Sequence, residues 1–73
     1  MATYSIVDEA YDVEVAKSVK YLFERYDLSN MFLDDWNEKP VTVKSLTDEL
    51  NEFGIARLYV EGYNDWKYKI QKH

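Results

Sequence analysis

The side chains most used in catalysis and metal binding are scarce in this chain. It has no cysteine and one histidine, His73, the last residue, which we expect to be exposed and frayed. A loosely held base cannot be positioned for proton transfer, so nucleophilic catalysis and a zinc site are not expected. Gly54 and Gly62 are isolated, and Asp34-Asp35 lacks the spacing of a calcium loop. The sequence therefore predicts no enzyme, no catalytic residue, no metal site and no cofactor.

Charged side chains are the remaining feature of the sequence that indicates a chemical role. The 73 residues carry 14 acidic and nine basic side chains, a net charge of −5. All 14 acids lie within residues 1–65 beside six bases, so that region has a net charge of −8. Acids near predicted helix starts interact favourably with free amides there, whereas like-charged pairs four residues apart destabilise a helix. Such pairs are Asp8/Asp12, Asp34/Glu38 and Asp48/Glu52.

The acids around Trp36 have the weakest structural explanation. If a helix begins at Ser29, they lie in its last turn, at the unfavourable end of the helix dipole. They bracket a tryptophan, a residue type enriched at interaction hot spots. The alternative is a helix that begins near Asp34, with Trp36 in the core. The candidate partner-binding residues are Asp34, Asp35, Trp36, Glu38, Asp48, Glu49 and Glu52.

These acids must be positioned by helices, and the apolar spacing predicts three of them. The first spans residues 5–26 or 8–26, with a short strand over residues 2–6 as the alternative. The second spans residues 28–38 with Ser29 as its cap. The third has a Ser45/Asp48 capping box, turns Leu46, Leu50 and Phe53 inward, and ends at Gly54.

The period changes to that of a β-hairpin after Gly54. A three-residue loop over residues 63–65 would pair Val60 with Tyr68 and Leu58 with Ile70, which matches apolar with apolar side chains. The predicted core face of this hairpin is Ala56, Leu58, Val60, Trp66, Tyr68 and Ile70. The fold class is α+β: one domain over residues 1–73, with three helices packed on a C-terminal hairpin and a possible third strand at the N-terminus.

The leading functional interpretation is a small cytoplasmic protein whose acidic surface binds a basic protein partner. Complementary charge speeds association and excludes wrong partners. Inhibitors from phages or mobile elements, antitoxins and immunity proteins work in this way, and some such inhibitors mimic nucleic acid. No apolar run is long enough to span a membrane, so no membrane partner is expected.

Two alternative functions stay open. The order of elements loosely resembles a winged helix-turn-helix module, and residues 66–72 carry three lysines and no acid. The acidic third helix opposes that interpretation, because phosphate contact needs a basic face. Direct nucleic-acid binding is therefore not expected. A self-associating protein that buries exposed tyrosines in a homodimer is the other alternative.

Overall fold

A computed structural model describes residues 2–33, 39–60 and 65–73. Four strands form one antiparallel sheet: β1 (Tyr4–Asp8), β2 (Val13–Ala16), β3 (Ile55–Tyr59) and β4 (Trp66–Lys72). Their order across the sheet is β2-β1-β4-β3, so β1 and β4 are central. In the described residues, two α-helices accompany the sheet, α1 (Val19–Arg25) and α2 (Val43–Phe53), with a 3-10 turn at Leu28–Asn30. The protein is α+β, but the predicted arrangement of three helices on a C-terminal hairpin is wrong.

The predicted first helix is wrong over most of its length. Its first half is a β-hairpin of β1 and β2, and the helix begins only at Val19, where Ser18 Oγ accepts a hydrogen bond from the Tyr21 amide at 3.1 Å. Tyr11, Val15 and Val19 follow one another at intervals of four residues, as on one face of a helix. In the structure Tyr11 and Val15 are exposed, whereas Val19 is buried. The alternative strand at the N-terminus is the one found, as β1, and it lies at the centre of the sheet.

The predicted second helix is also wrong within the described residues. Asp27 takes a left-handed conformation (φ 51°), the 3-10 turn ends at Asn30, and Met31 is extended. The chain then pairs with β3: the Phe32 amide donates to the Tyr59 carbonyl at 2.9 Å, and the Tyr59 amide donates to the Phe32 carbonyl at 2.8 Å. Backbone pairing to β3 therefore replaces helix at this point. Residues 34–38 lie outside the described residues.

The predicted third helix corresponds to α2, and it ends as expected. Gly54 has φ 75°, and its amide donates to the Leu50 carbonyl at 2.8 Å. The start differs, because Thr42 is the N-cap and forms a capping box with Ser45, so the helix begins before the predicted Ser45/Asp48 box. Leu50 is buried as predicted, but Phe53, the last residue of α2, is 63% exposed.

The hairpin of β3 and β4 exists, but its predicted register is wrong. Leu58 pairs with Tyr68 rather than with Ile70, and Ile70 pairs with Ala56. The shift is two residues, so the same side chains still face the helices. The hairpin alone could not define this register, because β4 also pairs with β1 along its length. Trp66 pairs with Tyr59 beyond an irregularity in the register, which leaves a longer connection than predicted.

The core lies between the helices and one face of the sheet. Leu22, Leu46, Leu50 and Leu58 are fully buried in it, whereas Phe23 is partly buried against it. Of the six residues predicted for the core face of the hairpin, Ala56, Leu58 and Ile70 are buried, and Val60 and Tyr68 are partly buried against the core. The fully buried large side chains are Ile6, Leu22, Leu28, Leu46, Leu50, Leu58 and Ile70. The opposite face of the sheet, here called the open face, includes Val7, Val13, Val15, Arg57 and Lys69, which lie across from one another in the strand register.

Candidate functional site

The predicted partner-binding residues fall into two groups. Asp34, Asp35, Trp36 and Glu38 lie outside the described residues, so the structure does not test them. The others lie on α2, where Asp48 and Glu52 are exposed and Glu49 is half-buried. Asp48 accepts from Lys44 Nζ at 3.4 Å, an exposed ion pair of a kind that contributes little to stability. These three residues lie within four positions of one another on the surface of α2.

The acids near the N-terminus have a different role from the one expected. Asp8, Glu9 and Asp12 belong to the β1–β2 connection and not to a helix start. One carboxylate oxygen of Asp8 accepts from the amides of Ala10 and Asp12, at 2.9 and 3.0 Å. Asp8 therefore shapes the turn, while the side chains of Glu9 and Asp12 add negative charge at this end of the sheet.

Tyr11 occupies a position in this turn that tyrosine rarely takes. Its φ is 62°, in the left-handed region, and its amide donates to the Asp8 carbonyl at 3.0 Å. Hairpin turns usually place glycine or asparagine at such a position, because a Cβ is strained there. The Tyr11 side chain is nevertheless 75% exposed. Its ring meets Trp66 edge to face, with centroids 6.5 Å apart and planes at 85°.

A cleft of about 550 Å³ opens beside this aromatic pair. Its volume falls within the usual range of ligand pockets, about 300–1,000 Å³. The described residues that line it combine two aromatic rings, one aliphatic side chain, two carboxylates and one ammonium group. They are Glu9, Tyr11, Val60, Asp65, Trp66 and Lys67.

This combination suits a cationic group. Aromatic faces attract ammonium and guanidinium ions, and carboxylates add charge-assisted hydrogen bonds. Trp66 already interacts in this way with a cation of the protein, since Lys69 Nζ lies 5.5 Å from its ring centroid. Lys67 is turned toward another ring, with its Nζ 6.0 Å from the centroid of Tyr68. Among the described residues that line the cleft, two are acidic and one is basic.

The open face carries the opposite charge. Arg57 and Lys69 lie directly across from each other on β3 and β4, a like-charged pair that destabilises a sheet. The cation–π contact of Lys69 with Trp66 offsets part of that repulsion.

His73 is not the free tail that the sequence predicted. Its amide donates to the Thr3 carbonyl at 2.8 Å, and its Nε2 lies 2.9 Å from Ser5 Oγ. A Ser–His contact therefore exists despite the expectation that none would form. Ser5 is only 7% exposed, so its hydroxyl is closed to a substrate. The contact fixes the end of β4 against β1, the strand beside it.

A second polar contact joins the sheet to α1. The Tyr26 hydroxyl donates to Glu14 Oε1 at 2.8 Å. Hydrogen bonds from Tyr26 and Tyr21, together with the charge of Arg25, hold the pKa of Glu14 below its usual 4.5, against a smaller opposing effect of burial. Burial and the bond to Glu14 raise the pKa of Tyr26 from 10.0 to about 12. This pair therefore secures β2 to the residue that ends α1.

Sequence reasoning missed the cleft for an identifiable reason. The acids around Trp36 were selected because they bracket a tryptophan at the unfavourable end of a predicted helix, whereas Asp65 beside Trp66 was not placed on a helix. Trp66 was instead assigned to the core face by simple alternation along β4. The irregular register at Tyr59 and Trp66 breaks that alternation. The meeting of Trp66 with Tyr11 joins two hairpins and could not be predicted while the first was assigned to a helix.

Comparisons with known proteins add no relative. The chain matches no protein-family model, no curated protein and no solved structure. Within residues 2–33, 39–60 and 65–73, no helix has the length and apolar character needed to cross a membrane. The same ranges contain no group of three or more acidic, histidine or cysteine side chains arranged to hold a metal ion.

Proposed function

We propose that this chain is a non-enzymatic binding protein whose acidic surface binds a basic protein partner. The observation that carries the proposal is the cleft beside Tyr11 and Trp66, with the carboxylates of Glu9 and Asp65 in its wall. An arginine or lysine side chain of the partner would enter it. The ring faces would contact the cation, and the carboxylates would accept its hydrogen bonds.

The carboxylates of α2 support the same function at longer range. Asp48, Glu49 and Glu52 extend the negative field beyond the cleft, which raises the rate of encounter with a basic surface. Their effect should fall as salt is added, because exposed charges are screened within about 8 Å at physiological ionic strength. Where the basic surface is also the partner's own binding surface, this contact would make the chain an inhibitor.

The test uses an oligo-arginine peptide as the basic probe and calorimetry to measure its dissociation constant. Two double variants are compared with the wild type: Glu9→Gln/Asp65→Asn in the cleft and Glu49→Gln/Glu52→Gln on α2. Each removes two negative charges and changes the formal net charge from −5 to −3. Their overall electrostatic effect is therefore matched, and only the location differs.

The cleft variant should weaken binding by about tenfold, because it removes charge-assisted hydrogen bonds. The α2 variant should weaken it by about threefold or less, and that loss should vanish at high salt. Equal losses in the two variants would show attraction to net charge alone and would overturn the cleft as the site. A wild type that binds heparin but not oligo-arginine would favour the nucleic-acid alternative instead.

A further inference from the structure

The two edge strands of the sheet differ in whether another segment pairs with their outer side. At one edge, β3 is partly covered, because Phe32 exchanges two backbone hydrogen bonds with Tyr59. At the other edge, β2 pairs with β1 on one side, and within the described residues no strand or bridge pairs with its outer side. Among the described residues, β2 is therefore the edge strand whose outer side is bare.

The register identifies which groups β2 presents outward. The Asp8 amide donates to the Asp12 carbonyl at 3.2 Å, which marks these two residues as a hydrogen-bonded pair of the hairpin. Hydrogen-bonded and non-hydrogen-bonded pairs alternate along an antiparallel ladder. Glu14 and Ala16 therefore bond to β1, and the amides and carbonyls of Val13 and Val15 point away from it.

The side chains at this edge are also unusual. Val13 and Val15 are 62% and 66% exposed, and both are β-branched. Natural sheets usually protect an edge with lysine or proline, or with an inward charge. β2 has no lysine or proline, and its one inward charge, Glu14, is already paired, because it accepts a hydrogen bond from the Tyr26 hydroxyl at 2.8 Å on the helix side. Free backbone groups and apolar side chains thus coincide at Val13 and Val15.

We propose that a second copy of this chain pairs with β2, strand against antiparallel strand, about a two-fold axis at Val15. In this register Val15 faces Val15 of the second copy, Glu14 faces Ala16, and Val13 faces the aliphatic stem of Lys17. The alternative axis at Glu14 would place two carboxylates directly opposite each other, which destabilises a sheet. The axis at Val15 therefore makes the edge self-complementary and pairs its exposed valine with itself, and that complementarity selects a second copy as its occupant.

Area and charge set the strength of this dimer. An edge of four residues buries less than the ~1,200 Å² typical of stable specific interfaces, so association should be weak and concentration-dependent. Each copy carries a net charge of −5, and salt should strengthen the dimer by screening the repulsion. Binding of a basic partner responds to salt in the opposite direction, so the two proposals can fail separately.

The experiment is sedimentation equilibrium of the full chain over a range of protein concentrations at low and high salt. Val15→Lys would place two ammonium groups across the axis. Phe53→Lys is the matched control, because it exchanges an equally exposed apolar residue for the same charge at the end of α2, away from the edge. The wild type and the control should dimerise with similar constants, whereas Val15→Lys should associate at least tenfold more weakly.

A second variant tests the backbone contacts. Val15→Pro removes an amide that points away from β1, so the β1–β2 ladder keeps its hydrogen bonds, and proline is tolerated on an edge strand. It should stay folded by circular dichroism and remain monomeric. A wild type that stays monomeric at all concentrations would overturn the proposal, as would a Val15→Pro protein that dimerises normally. If an unrelated extended peptide protects the Val15 amide from hydrogen exchange and a second copy of the chain does not, the edge has a different occupant. That result would also overturn the proposal.

Discussion

At the scale of single residues, Tyr11 combines backbone strain with high exposure. A left-handed conformation costs a residue with a Cβ about 1 kcal/mol or more, and the edge-to-face contact with Trp66 returns about 0.5–1.5 kcal/mol. The tyrosine is therefore close to neutral for stability at this position. Because the tyrosine side chain gives the fold almost no net stability, we infer that it has a role in binding.

The Tyr11→Gly variant separates stability from binding. Glycine removes the backbone strain together with the ring, so the free energy of unfolding should change by less than about 1 kcal/mol. Affinity for oligo-arginine should fall by about tenfold, because one aromatic wall of the cleft is lost. Urea titration and calorimetry measure the two effects. A large loss of stability with unchanged affinity would make Tyr11 a structural residue.

The contact between Glu14 and Tyr26 predicts a defined pH dependence. The pKa of Glu14 is lowered in the folded protein, so its contribution is present above the unfolded value of 4.5 and is lost as pH falls through the folded value. The pKa of Tyr26 is raised to about 12, so its contribution is present below the unfolded value of 10.0 and is lost as pH rises through about 12.

Tyr26→Phe tests this contact. The wild type should be more stable than the variant at neutral pH, and the difference should shrink as pH falls below 4.5 and as pH rises from 10.0 through about 12. Urea titration at each pH gives the difference, and the ionisation of other groups largely cancels in the comparison. A difference that stays constant over the whole range would show that the hydrogen bond does not stabilise the fold.

At the scale of elements, the end of α2 is the boundary that the sequence predicted best. Gly54 has φ 75°, and a Cβ built on it would meet nothing within 4 Å. The cost of replacing it is therefore that of the backbone conformation alone. Gly54→Val should lower the free energy of unfolding by about 1–2 kcal/mol.

Gly54→Asn is the control for that substitution, because asparagine tolerates the left-handed region better than valine. Its loss in urea titration should be clearly smaller than that of Gly54→Val. Equal losses in both variants would mean that a feature other than the backbone conformation makes glycine necessary there.

Other elements could not be predicted because local patterns were ambiguous. The spacing of Tyr11, Val15 and Val19 fits a helix, but in the structure these residues share no common face, since Val19 alone is buried. The decisive contacts are long-range: β1 pairs with β4, and Phe32 pairs with Tyr59. A capping residue and a left-handed glycine act locally, whereas strand partners depend on the whole chain.

The candidate cleft was not predicted from the sequence. Charge excess can be read from composition, and it directed attention to the acids around Trp36, which stay a prediction because they lie outside the described residues. The cleft itself needs a turn at Tyr11, a strand start at Trp66 and an irregular register between β3 and β4. Those three features come from separate elements, so no single segment indicates the cleft.

At the scale of the whole molecule, charge is distributed unevenly. The end of the sheet formed by the β1–β2 turn is acidic, whereas the open face carries Arg57 and Lys69. A basic partner should therefore approach the turn end and avoid the open face. The bare β2 edge is apolar, so a second copy could pair there while a partner binds the cleft.

The most direct test of the central claim is a map of the contact surface by NMR. The backbone amides and the two tryptophan indoles are followed as oligo-arginine is added, and Trp66→Phe assigns the Trp66 indole signal. The largest shifts should occur at Glu9, Tyr11, Asp65 and Trp66, and they should saturate together with one dissociation constant. Shifts that concentrate on α2, or that spread evenly over the acidic residues without saturating, would contradict the claim that a basic partner binds the cleft.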